Sequence, residues 1–189
     1  MSETANPLTD AVKALIGVSA EKVEASSPWG IEREGLRIFC NAIMDRDPRY
    51  WDDEFAKTTK FGGIITPPIY CSYIGRKTLQ GVEDPVSRAF RENPNSDGIG
   101  GVLEGSVARK DALPPIPTPM KRILNAGNEI ELYKYPALGD HIFSQAMYSD
   151  IKGRVTKDGT AMLVVTTQTT YTTQNDDVLC ILRQSQIRR

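Results

Sequence analysis

Hydrophobic and polar positions change period partway along this 189-residue chain. Up to Tyr73 the apolar residues recur in steps of three and four, the spacing of one helix face, whereas from Asn128 onward they alternate, the spacing of half-buried strands. Thr9 is a candidate cap for a helix over about 10–16, where Val12, Leu15 and Ile16 share a face before Gly17. The stretch 31–44 sets Ile31, Gly35, Ile38, Phe39, Ala42 and Ile43 against a charged opposite side, so an amphipathic helix is expected there. Asp47-Pro48 ends it, because the residue before a proline is pushed out of helical geometry. A short helix is expected at 53–58, broken by Gly62-Gly63. Thr66 is then a candidate N-cap with Pro67 at the first helical position, opening a buried helix over about 68–79.

Residues 81–122 lose both periods and are rich in proline and glycine, with a candidate strand at 101–108; long excursions of this kind are often contact surfaces or lids. Four β-rich segments follow, 128–134, 141–151, 161–174 and 178–187, separated by turn residues at Gly139-Asp140, Asp158-Gly159 and Asn175-Asp176-Asp177. They read as an antiparallel meander. Helices first and strands afterwards, without βαβ alternation, gives an α+β class. The length fits one domain over 1–189.

Charge adds little to this picture and excludes some functions. With 23 Lys plus Arg against 24 Asp plus Glu, nothing in the total points to nucleic acid or an acidic membrane surface. No apolar window is long enough to span a bilayer and no exported leader is visible, so a cytoplasmic location is expected. Cys40, Cys71 and Cys180 are widely spaced and form no CxxC pair, which argues against a disulfide framework and against zinc. No metal is expected. The single histidine, His141, stands at a strand start; a surface or interface role suits it better than chemistry. Thr166–Thr173 is ordinary strand composition, Pro114–Pro119 an extended loop over the sheet, and Gly98-Ile99-Gly100-Gly101 lacks the helix and lysine of a phosphate loop.

One loop carries candidate chemistry. Asp45-Arg46-Asp47-Pro48-Arg49-Tyr50, preceded by the 31–44 helix and followed by Gly62-Gly63-Ile64-Ile65-Thr66-Pro67-Pro68, resembles the MaoC-like dehydratases and (R)-specific enoyl-CoA hydratases of the hot-dog fold. Their pattern is Asp, any residue, Asn, Pro, an apolar residue, His. Asp45 and Pro48 match it, Asp47 replaces Asn, Arg49 the apolar residue, and Tyr50 the histidine. Asn125-Ala126-Gly127-Asn128-Glu129, Gly139-Asp140 and the ending Ile187-Arg188-Arg189 extend the likeness, which is nearest to the N-terminal-half type of these domains. The resemblance implies an antiparallel sheet wrapped around the 68–79 helix, and a dimer or a pair of unlike subunits.

Adding water across a 2-enoyl thioester needs a base for the water, an acid for the α-carbon and N–H donors for the charge on the thioester oxygen. The resemblance gives the proton work to Asp and His. Tyrosine, titrating near ~10, is a poor neutral-pH base. It also implies a glycine N–H toward the thioester oxygen where this chain has Pro68, which has no N–H. The expected function is therefore that of one subunit of a hydratase, pairing with a histidine-bearing hot-dog partner, or failing that with a second copy. Asp45 and Tyr50 are the candidate catalytic residues. Gly62, Gly63, Ile64, Thr66, Pro68 and Tyr70 are candidates for the acyl pocket, and Arg46, Arg49, Arg76 and Lys77 for the phosphates of coenzyme A, which enters only as part of the substrate. Two other readings stay open: an autonomous hydratase or thioesterase using Asp45 and Tyr50, and a scaffolding subunit without a site. Tyr50 and Trp51 have a plainer role available, sealing a core edge.

Overall fold

The computed structural model describes residues 6–26, 28–74, 83, 85–95 and 112–189. The expected strand at 101–108, and Arg76 and Lys77, lie outside them.

Three helical expectations hold, the first two with shifted ends and the third at its expected bounds. Helix α1 spans Asp10–Lys13, with the Thr9 hydroxyl accepting the Val12 N–H at 3.3 Å. Helix α2 is Arg33–Ala42 and α3 is Asp53–Thr58, the latter capped by Asp52. The buried stripe of α2 is only partly the expected one. Leu36, Phe39 and Cys40 go inward, while Ile38 and Ile43 stay 50% and 43% exposed. The helix is thus rotated relative to the expectation, and it leaves two large apolar side chains uncovered.

The helix expected from 68 begins later, as α4 at Tyr70–Ile74. Thr66 is not its cap: the Thr66 N–H donates to the Pro136 carbonyl at 2.9 Å, next to a bridge between Ile65 and Ala137, and its hydroxyl leans on the Pro67 carbonyl. Pro68 holds Pro67 away from helical geometry, so the first turn closes only with Tyr70 N–H on the Pro67 carbonyl at 2.9 Å. Helix α5, Pro85–Glu92, falls where an irregular excursion was expected.

Five antiparallel strands make the sheet: β1 Val23–Glu24, β2 Ile123–Leu132, β3 Phe143–Val155, β4 Ala161–Thr172 and β5 Val178–Arg188. Their order is β1-β3-β4-β5-β2. Only β3, β4 and β5 form a meander; β2 crosses to the far side of β5 instead of pairing with β3. It also starts five residues before its expected beginning, because a bulge at Asn125–Gly127, with Gly127 at φ 138°, lets pairing continue through Asn125-Ala126.

Strand alternation divides the sheet into two faces. One carries Tyr171, Cys180 and Leu182 toward α2, the 48–50 turn and α4, forming the larger core with Leu36, Phe39, Tyr50, Ile64, Ile65 and Tyr70. Farther along the same face Leu163, Val165 and Ile151 form a second core with Val12 and Ile116. Pro114–Pro119 runs extended over it, as expected, and the Tyr148 hydroxyl donates to the Pro114 carbonyl at 2.8 Å. The three cysteines are buried and free. No helix among the described residues is long and apolar enough to cross a membrane.

Candidate functional site

The acid loop is shaped by its own aspartates. Met44 takes a left-handed φ of 57°, ending α2 and letting the Asp45 N–H reach back to the Cys40 carbonyl at 3.0 Å. Asp45 Oδ1 then accepts the Asp47 N–H at 3.1 Å, and Asp47 Oδ1 the Arg49 N–H at 3.0 Å. Such Asx turns are what aspartate offers before a proline. Pro48–Tyr50 form a single 3-10 turn that tucks Tyr50 into the core at 7% exposure.

The loop and the 62–70 segment come together. The Ile65 N–H donates to the Arg49 carbonyl at 3.3 Å, and Ile64, Ile65, Tyr50 and Tyr70 share one core cluster. Thr66 is buried, Gly63 and Pro68 are half-buried, and Gly62 is exposed with a φ of 71°. Tyr70 lies edge-on to Phe39, ring centres 5.1 Å apart. A Cβ on Gly35 would stand 3.1 Å from the Tyr70 hydroxyl, so a glycine at this point of α2 lets the tyrosine approach.

Electrostatics assigns the loop's groups. Asp47 grips Arg49, whose Nε lies 2.9 and 3.0 Å from its two oxygens. That bond holds the Asp47 carboxyl below the usual range and the guanidinium above its own. Burial, then the charges of Asp45 and Asp47, push Tyr50 up to about 12. Tyr50 therefore keeps its proton at neutral pH, able to donate and unable to act as base. Tyr70 is likewise pushed to about 12, chiefly by burial. Asp45 is the remaining carboxylate, half-buried with one oxygen on the turn.

The other candidates separate. Arg49 is committed to Asp47 and stacks its cation 5.9 Å from the Tyr50 ring centre, whereas Arg46 is exposed. Trp51 does not seal the core; it is 57% exposed, with its indole N–H 3.4 Å from the Arg46 carbonyl. His141 pairs its Nδ1 with Glu24 at 2.6 Å, beside β1, and shares no hydrogen bond with the acid loop. Among the described residues no cluster of His, Cys, Asp and Glu could hold a metal.

Sequence reasoning missed an apolar surface around this loop. Ile38, Ile43, Met44, Phe55, Ile69 and Tyr73 are each at least 40% exposed. The signal lay in the 31–44 helix, which has more apolar residues than one buried stripe can use.

The fold is that of a known group. A model of the FAS1-like dehydratase domain region matches residues 14–182. A UPF0336 protein of Streptomyces avermitilis is 36% identical over 61 residues, which is 32% of this chain and 41% of that relative's length. Among solved structures, the ChsH1-ChsH2 complex from Mycobacterium tuberculosis matches with a TM-score of 0.67 at 18% identity, covering 95% of this chain and 94% of that one. The HadBC (3R-hydroxyacyl-ACP dehydratase) complex from the same organism matches at 0.57 and 11% identity, over 92% and 96% of the two chains. These likenesses establish the hot-dog fold.

Proposed function

This chain belongs to the FAS1-like dehydratase domain family, and from that premise we propose that it is the pocket-forming subunit of a two-chain hydratase acting on a 2-enoyl-CoA, whose histidine-bearing partner adds the water. The observation that carries the reading is Tyr50. It stands where the related pattern has histidine, it is buried, and its hydroxyl is held protonated to about 12. A base must release and accept a proton near the working pH, which this group does not do. Pro67 and Pro68 give the segment just before the central helix no N–H, so neither can steady the thioester oxygen, a donor worth roughly 3–4 kcal/mol in well-measured enzymes.

A partner is supported by what the chain leaves open. Strand β2 is an edge of the sheet over ten residues and is almost wholly exposed, a template for pairing with another chain. The apolar side chains around the acid loop suit burial against a partner or an acyl group. Two of the structural relatives are themselves named as two-component complexes. In this reading Gly62, Gly63, Ile64, Thr66, Pro68 and Tyr70 wall the acyl pocket, Asp45 shapes its mouth, and Arg46, unlike Arg49, is in no ion pair among the described residues and can meet a coenzyme A phosphate.

The test is to purify the complex with its histidine-bearing subunit and replace residues on this side of it. Tyr50→Phe is expected to leave hydration of crotonyl-CoA within about threefold of the parent rate, because no proton passes through this hydroxyl. A hundredfold loss would mean that Tyr50 takes part in proton transfer and that the chain is catalytic.

A further inference from the structure

Ten of the described lysines and arginines have an acid against them. Lys13, Arg33, Arg37, Lys57, Lys134 and Lys152 each do, and Arg183 has two, Glu129 and Glu131. At one end of the sheet three arginines without such a partner gather. Arg122, Arg154 and Arg189 are exposed there, and among the described residues none is in an ion pair.

The strand register sets these three side by side. Arg154 is paired with Met162. Arg122 and Arg189 exchange both backbone hydrogen bonds, at 3.1 and 3.0 Å. Because Arg188 pairs with Leu163, Arg189 continues the register opposite Met162. Arg154, Met162, Arg189 and Arg122 therefore make one lateral row, and alternation puts all four on the face opposite the buried Leu163. At strand spacing, Arg122 and Arg189 are about 5 Å apart, and Arg154 lies about 10 Å beyond them. The next row on that face carries Val164, Ile187 and Leu124, all half-buried, beside Lys152, which Asp150 holds at 2.6 Å.

Like charges directly opposed in a sheet are unfavourable, so this row is stabilised by an anion lying across it. We propose that the row is a docking surface for an acidic helix of a partner protein. A helix laid across the strand ends offers carboxylates about 6 Å apart at four-residue steps and about 10 Å apart at seven, which matches the two gaps between the arginines. Its neighbouring apolar stripe meets Leu124, Val164 and Ile187. Guanidinium groups suit carboxylates because they bond them in bidentate pairs. A single phosphate would cover one arginine position and leave the rest of a row about 15 Å wide bare. The surface is separate from the acid loop, which packs on the other face near Cys180, nine residues and about 30 Å up strand β5. It thus stands whether or not the hydratase reading does.

The test uses the full chain and a labelled helical peptide of about 18 residues, with Glu at four- and seven-residue steps beside a Leu stripe. A twin peptide with Gln for Glu is the control, and fluorescence anisotropy the readout. Saturable binding is expected for the Glu peptide alone, weakened at least about tenfold by Arg122→Gln with Arg154→Gln and weakened by salt. Both side chains are exposed, so an unchanged melting temperature verifies the fold of the variant. Three results would overturn the proposal: no binding of the Glu peptide, equal binding by the variant, or arginine-dependent binding of adenosine 3′,5′-bisphosphate in place of the peptide.

Discussion

Asp47 holds Arg49 twice, accepting its backbone N–H and neutralising its guanidinium. Its folded pKa lies below the ordinary carboxylate value. The stabilisation it gives is therefore fully present above the unfolded carboxylate pKa and is lost as pH falls through the lowered folded one. Asp47→Asn is expected to cost about 0.5–1 kcal/mol at pH 7, the size of a lost ion pair on a partly exposed loop, because asparagine keeps the capping oxygen. The gap between parent and variant should shrink as chemical denaturation is repeated down through the acid range. The same pair explains why this loop was only half legible. That Asp45, Asp47 and Pro48 would turn the chain could be read directly, since aspartates before a proline cap nearby backbone N–H groups. That Arg49 is spent on Asp47 could not, because an arginine in a sequence carries no sign of which acid it will meet. Trp51 was misread for a related reason: one residue past a tight turn, burial depends on the direction in which the turn leaves the chain.

At the scale of elements, α2 shows what periodicity decides and what it does not. Apolar residues at three- and four-residue steps announced the helix, yet five such residues on its ten positions, with Ile43 and Met44 just beyond, leave the buried stripe ambiguous. The core settles it around Leu36, fully buried, with Ile38 half exposed. Leu36→Ala should lower stability by about 2–5 kcal/mol in thermal or denaturant unfolding of the chain alone. Ile38→Ala should change the isolated chain by less than about 0.5 kcal/mol and weaken association with the partner instead. The late start of α4 has an equally local cause in Pro67-Pro68, and the sequence held it. Strand β2 is a harder case: turn-like Asn125-Ala126-Gly127 hid its first half, and only the bulge across β5 makes those residues a strand. The crossover of β2 to the far edge is a choice between sheets of equal local pattern, made by which apolar residues fill the core.

For the molecule as a whole, the α+β class and the sheet wrapped on a helix were legible, because the change of period from helical to alternating is strong and the acid-loop spacing has few other homes. The openness of the assembled chain was not. An exposed ten-residue edge, an apolar surface around the acid loop and an unpaired arginine row all concern what meets the chain, and a single sequence does not contain its partner. If this chain forms the pocket and its partner does the proton work, one rate decides the matter. Crotonyl-CoA hydration should be followed with the isolated chain and again after adding the histidine-bearing subunit. Background hydration is expected from this chain alone, and turnover that appears only with the partner and reaches its maximum at one-to-one stoichiometry. Full turnover by the isolated chain would overturn that division of labour.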